Sequence, residues 1–158
     1  MQWKIEVTYK PDVFDAIGEG IKQDITDLGI TGVERVRSSH LYWINGEITE
    51  AEIDKICHLL LADIITQEYS FEYLDQNSST EKNKGENDWF VEVTYKPGVT
   101  DAVGNSVVKG IQDIGIVGVE SVKTGLEYII TGRLEQEQLE RICKQLLANE
   151  VIQDFKFA

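Results

Sequence analysis

Apolar and polar residues alternate strictly at the start of the chain: Trp3, Ile5, Val7 and Tyr9 face one way, Lys4, Glu6, Thr8 and Lys10 the other. Period two over eight residues predicts a half-buried strand, and Pro11 ends it because proline cannot donate to a ladder. Spacing then changes to three and four. Val13, Ile17, Ile21, Ile25 and Leu28 form one helical stripe, with Asp12 as a candidate N-cap and Gly29 where a C-terminal cap needs positive φ. Residues 32–37 and 41–48 read as two further strands. They would be joined by a tight turn, for which the equivalent Lys123-Thr124-Gly125-Leu126 later in the chain offers a glycine, or, since Ser38-Ser39 offers none, fused into one long bent strand. Ile53, Ile56, Cys57, Leu60 and Leu61 mark a second helix, and residues 66–73 a last strand.

The same pattern then recurs. Residues 3–72 and 89–158 align without a gap at an offset of 86, and about 29 of the 70 paired positions are identical. Trp89, Val91, Val93 and Tyr95 repeat the first strand. Val99, Val103, Val107, Ile111 and Ile114 repeat the first helix, ahead of Gly115. Leu139, Ile142, Cys143, Leu146 and Leu147 repeat the second. Each repeat reads β-α-β-β-α-β, a split βαβ arrangement with helices on one sheet face. The predicted fold class is α+β: repeat 1 at 1–72, a linker at 73–88 and repeat 2 at 89–158. A repeat of 70 residues is near the size at which a lone core is marginal, so the two are expected to pack as a pseudodimer. The linker, polar and almost free of apolar residues, is expected to be flexible.

Charge narrows the range of partners. The net charge is −13, divided as −8, −2 and −3 over repeat 1, linker and repeat 2. An acidic surface repels phosphate backbones, so neither nucleic acid nor an anionic membrane is expected, while a basic protein partner would be favoured. No run approaches the length of a membrane span. The N-terminus enters a strand pattern with no secretory signature, and a cytoplasmic location is expected.

Candidate chemistry is sparse. Cys57 and Cys143 lie on the apolar helix stripe, which favours a core role over catalysis. His40 and His58 pair with Leu126 and Lys144 of the other repeat and join no metal-type cluster. Gly18-Glu19-Gly20 lies inside a helix pattern and becomes Gly104-Asn105-Ser106, so close packing explains it better than phosphate binding. Catalytic, metal-ligating and cofactor-binding residues are expected to be none. Asp15 and Asp101 recur early in the first helix of each repeat. Their simplest role is to serve the helix dipole and a backbone N–H, with partner contact as the alternative. Lys10-Pro11 and Lys96-Pro97 form rigid strand exits carrying a cation.

Two segments resemble a known family. Val93-Thr94-Tyr95-Lys96-Pro97-Gly98-Val99-Thr100-Asp101, followed by Gly104, resembles the opening of PurS chains. Leu146-Leu147-Ala148-Asn149-Glu150-Val151-Ile152-Gln153-Asp154-Phe155 is similar to their closing motif. The repeats depart from the family pattern at Ala102-Val103 and Ala16-Ile17, at Glu150, at Gly125-Leu126 and Ser39-His40, and in repeat 1 at Asp12 and Asp63-Ile64-Ile65. The resemblance implies a small, non-catalytic subunit of phosphoribosylformylglycinamidine synthase in purine biosynthesis. Such a subunit would join a large synthetase to a glutaminase and support ammonia transfer. ATP, magnesium and glutamine would be used by the complex, with no cofactor in this chain. A tandem chain would then be a covalent pseudodimer, capable of further self-association. The candidate partner surface comprises Lys10, Pro11, Asp15, Lys96, Pro97, Gly98, Asp101 and Asn149. The alternative is a tandem βαββαβ regulatory module binding a small molecule.

Overall fold

A computed structural model describes residues 2–75 and 85–158. Each repeat follows the predicted order. Repeat 1 contains β1 (Gln2–Tyr9), α1 (Ala16–Asp27), β2 (Val33–Gly46), α2 (Glu50–Ile56) and β3 (Gln67–Leu74). Repeat 2 contains β4 (Asp88–Tyr95), α3 (Ala102–Asp113), β5 (Val119–Gly132), α4 (Gln136–Ile142) and β6 (Gln153–Phe157). Both α2 and α4 continue into a π-helical turn, Cys57–Leu61 and Cys143–Leu147. Of the expected flexible linker, residues 76–84 lie outside the described residues. Tyr73 and Leu74 close β3, and Asp88 opens β4.

The two inner strands expected in each repeat are the halves of one 14-residue strand, β2 or β5. Neither half-way point has positive φ, so the chain does not turn there. Helix starts also differ from expectation. The cap of α1 is Asp15 rather than Asp12, and Val13 lies in the turn before it. Gly29 and Gly115 do follow the helix ends, with φ of 83° and 86°. The amides of Ile30 and Ile116 reach back to the carbonyls of Ile25 and Ile111, which closes the helices as expected.

The compact units are not coextensive with the repeats. One unit is formed by described residues within 1–13, 40–80 and 100–125, the other by those within 14–39, 81–99 and 126–158. The first unit thus holds β1, the second half of β2, α2 and β3 of repeat 1, with α3 and the first half of β5 from repeat 2. Its strand order is β3-β1-β2-β5. The second unit holds α1 and the first half of β2, with the second half of β5, β4, α4 and β6, in the order β2-β5-β4-β6. β1 and β3 pair antiparallel from Gln2↔Leu74 to Tyr9↔Gln67, as β4 and β6 do from Val91↔Phe157 to Tyr95↔Gln153.

Each unit has its own core, drawn from both repeats. In the first, Trp3, Ile5, Val7, Ile44, Ile53 and Ile56 pack with Val107, Ile111, Ile116 and Val122. In the second, Ile25, Ile30 and Val36 pack with Val91, Val93, Tyr128, Ile130, Leu139 and Ile142. The helix stripes and the first-strand alternations predict Trp3, Ile5, Val7, Ile25, Ile53 and Ile56 and their counterparts, but not which repeat supplies the covering helix; Ile17 and Val103, expected on the stripe, lie in the first helical turn and are exposed. Gly18 shows how closely that helix approaches. A Cβ on Gly18 would collide with the Val36 carbonyl of β2, and one on Gly104 with the Val122 carbonyl of β5.

Cys57 and Cys143 are fully buried in these cores. Burial, reinforced by Asp54 and Glu140 respectively, pushes each thiol up to about 12. Both are therefore protonated at neutral pH and poor nucleophiles. Cys143→Ala is expected to cost about 1–2 kcal/mol through a lost core contact, read as a lower denaturation midpoint at unchanged slope. A variant as stable as the parent would show that the core does not depend on this side chain.

Candidate partner-binding surface

The strand exits and the turns before β3 and β6 build two matching tips, one in each unit. In the first unit, the Lys10 amide donates to the Thr66 carbonyl at 2.9 Å, and Lys10 Nζ to the Ile64 carbonyl at 2.9 Å. The Val13 amide closes a turn on the Lys10 carbonyl around Pro11. In the second unit, the Lys96 amide donates to the Ile152 carbonyl at 2.9 Å, and Val99 closes the same turn around Pro97 and Gly98. Gly98 takes φ of 85°, a conformation open to glycine at little cost. Lys96 Nζ lies 3.8 Å from Asp154 Oδ1, a long and exposed ion pair.

Asn149 shapes the second turn. Its Oδ1 accepts from the Val151 amide at 3.1 Å, its carbonyl accepts from Ile152 and Gln153, and its amide donates to Gln153 Oε1 at 2.8 Å. Asp63 makes the same set with Ile65, Thr66 and Gln67. Asparagine and aspartate suit such turns because their short side chains accept from the backbone two residues on. Lys96, Pro97, Gly98 and Asn149 are thus brought together, as are Lys10 and Pro11 with the Asp63 turn.

Asp15 and Asp101 do different work. Asp15, 8% exposed, caps α1 by accepting from the Gly18 amide at 2.9 Å. It also accepts from the Ser38 amide at 2.6 Å and from Ser38 Oγ at 2.8 Å, clamping the start of α1 to β2. Asp101 repeats the device in the other unit with Gly104 and with the amide and hydroxyl of Thr124. These carboxylates are spent on the backbone, and Asp15 has little surface left to offer a partner. Sequence reasoning missed Ser38 and Thr124. The available signal was a hydroxyl retained at one offset in the middle of each long strand.

It also missed the apolar residues of the tips. Ile65 is 80% exposed and Val151, its counterpart, 82%. Ile64 and Ile152 beside them are 50% and 37% exposed. A second surface feature lies in the second unit, a cleft of about 590 Å³ bordered by Gly32, Asp88, Trp89, Arg133, Glu135 and Gln138, among others. Among the described residues, no group of His, Cys, Asp and Glu could hold a metal ion. No helix among them is long and apolar enough to cross a membrane.

A family model described as PurS, phosphoribosylformylglycinamidine (FGAM) synthase, matches residues 2–75 and again residues 89–158. The chain belongs to the PurS family. Both repeats match the family model, so the duplication read from the sequence is a duplication within the PurS family. The phosphoribosylformylglycinamidine synthase subunit PurS of Synechocystis is 39% identical over 70 residues, covering 41% of this chain and 70% of the relative. The PurS subunit of Methanocaldococcus jannaschii is 32% identical over 69 residues, covering 40% of this chain and 83% of the relative. Among solved structures, the crystal structure of M. jannaschii PurS, one of the subunits of formylglycinamide ribonucleotide amidotransferase, aligns at 23% identity with a TM-score of 0.32. It covers 45% of this chain and 92% of that one.

Proposed function

We propose that this tandem PurS chain is a non-catalytic assembly subunit of phosphoribosylformylglycinamidine synthase in cytoplasmic purine biosynthesis. It bridges a large synthetase subunit and a glutaminase subunit and so supports transfer of ammonia between them. The observation that carries the reading is the family match across both repeats. Relatives that match over the length of one repeat are named as subunits of that synthase. Two tips of matching architecture in one chain suit a component that must hold two larger proteins. ATP, magnesium and glutamine would be bound by the other subunits. Joining the repeats covalently makes their pairing intramolecular and independent of concentration.

Glutamine-dependent amidine formation by the synthetase and glutaminase of the same source tests this, measured with and without the chain. Activity that requires the chain supports the bridging role, and full activity without it overturns that role. Thermal stabilisation by purine-pathway metabolites in the absence of both proteins would instead favour a small-molecule module, with the second unit's cleft as the place to look.

A further inference from the structure

The turns before β3 and β6 share one set of backbone hydrogen bonds, and at one position the fold has no use for the side chain they carry. Position 65 or 151 contributes only its amide, donated to Asp63 or Asn149. The turn's remaining bonds come from Asp63 or Asn149 and from Gln67 or Gln153. Any polar residue would satisfy this geometry and favour solubility. Instead an aliphatic side chain stands about four-fifths exposed in both copies, although most other positions differ between the repeats. Single exposed hydrophobics are ordinary on protein surfaces. Ile17 and Val103 are also aliphatic and exposed in both copies, at 39% and 55%; the tips are set apart by greater exposure, an apolar residue on one side (Ile64 before Ile65, Ile152 after Val151) and a proline at the adjoining strand exit.

The charge around the tips indicates what covers them. The Lys10 ammonium donates to the neutral Ile64 carbonyl and keeps its charge, and that of Lys96 lies against Asp154, so at each tip one lysine faces two carboxylates. Exposed carboxylates remain beside each knob: Asp12 and Asp63 in the first unit, Glu150 in the second. An aliphatic knob with an acidic rim complements an apolar pocket edged by lysine and arginine. We infer that Ile65 and Val151 are the anchors by which this chain docks into two such basic-rimmed pockets on its protein partners. The assignment rests on the assembly role proposed above and gives that role its contact points. At interfaces the buried centre holds most of the affinity, while rim charges steer approach.

The test uses the full chain and the purified synthetase and glutaminase, with binding followed by sedimentation or biolayer interferometry. Ile65→Asp and Val151→Asp are each expected to weaken assembly at least tenfold. The double variant should abolish it at micromolar concentration, with thermal stability unchanged because neither side chain is packed. Val117→Asp is the control. Val117 is an equally exposed aliphatic residue, at 82%, whose counterpart is Thr31, and binding should be unaffected. Asp12→Asn with Glu150→Gln should slow association and flatten its salt dependence. Parental binding by both anchor variants overturns the inference while leaving the assembly role intact. Equal losses with Val117→Asp would overturn it too, by showing a general effect of charge. If the parent chain binds neither protein, the assembly role itself fails, and the anchors with it.

Discussion

A polypeptide carrying repeat 1 alone, residues 1–75, is expected to have no cooperative fold as a monomer. Its first-unit core would lack Val107, Ile111, Ile116 and Val122, which come from repeat 2. Its α1 would leave Ile25 with only Ile30 and Val36 of that core, because Val91, Ile130, Leu139 and Ile142 belong to repeat 2 as well. Stability is the small difference of large terms. Losing four fully or nearly fully buried aliphatic side chains from one core, at roughly 1.5–3 kcal/mol of burial each, removes more than a domain of this size holds in reserve. Circular dichroism at low micromolar concentration should show a broad, non-cooperative melt. Folding should return on raising the concentration, if two copies complete each other's cores, or on adding residues 85–158 as a separate polypeptide. A sharp, concentration-independent transition from monomeric residues 1–75 would show that a repeat can close its own core.

The reason this exchange was hidden in the sequence is physical. A hydrophobic stripe specifies that a helix face is buried and leaves open which sheet buries it. Ile21 and Ile25 would suit the strands of either repeat, because the first strands of the two repeats share one apolar alternation, Trp3, Ile5 and Val7 against Trp89, Val91 and Val93. What decides between them is the path of the chain at residues 38–40. A tight turn there would fold each repeat on itself, whereas a continuous strand carries β2 from one unit into the other. The absence of a glycine at Ser38-Ser39 pointed toward the continuous strand, but Lys123-Thr124-Gly125 pointed toward a turn, so the pattern left both open. Periodicities, helix ends, cysteine burial and the tight packing at Gly18 and Gly104 were legible because each depends on local spacing or local φ. The partner surface was legible only in part. Proline and lysine at the strand exits announce a turn, whereas exposure of Ile65 and Val151 depends on where neighbouring elements end, which no local rule supplies.

Asp15→Ala is expected to be the most damaging single substitution among the candidate partner-surface residues, and to act on the fold. Alanine removes the cap of α1, worth about 0.5–2 kcal/mol. It also strips the buried Ser38 amide and hydroxyl of their acceptor, at about 1–3 kcal/mol for each group left unsatisfied. Losses of this kind share one carboxylate and are not additive, so about 2–4 kcal/mol in all is expected, seen as a lower urea midpoint. Asp101→Ala should cost less, because Asp101 is only half-buried and water can replace it at Thr124. Asp15→Asn keeps one acceptor for the Gly18 amide but turns a donor toward the Ser38 amide, and should fall between alanine and the parent. Ser38→Ala, which leaves the carboxylate and its backbone bonds in place, should cost the least of the set. This ordering belongs to a clamp that holds α1 on β2. If Asp15→Ala kept full stability and lost only assembly with the synthetase or glutaminase, the carboxylate would be a direct partner contact, and the bonds to Ser38 and Gly18 would be incidental to its role.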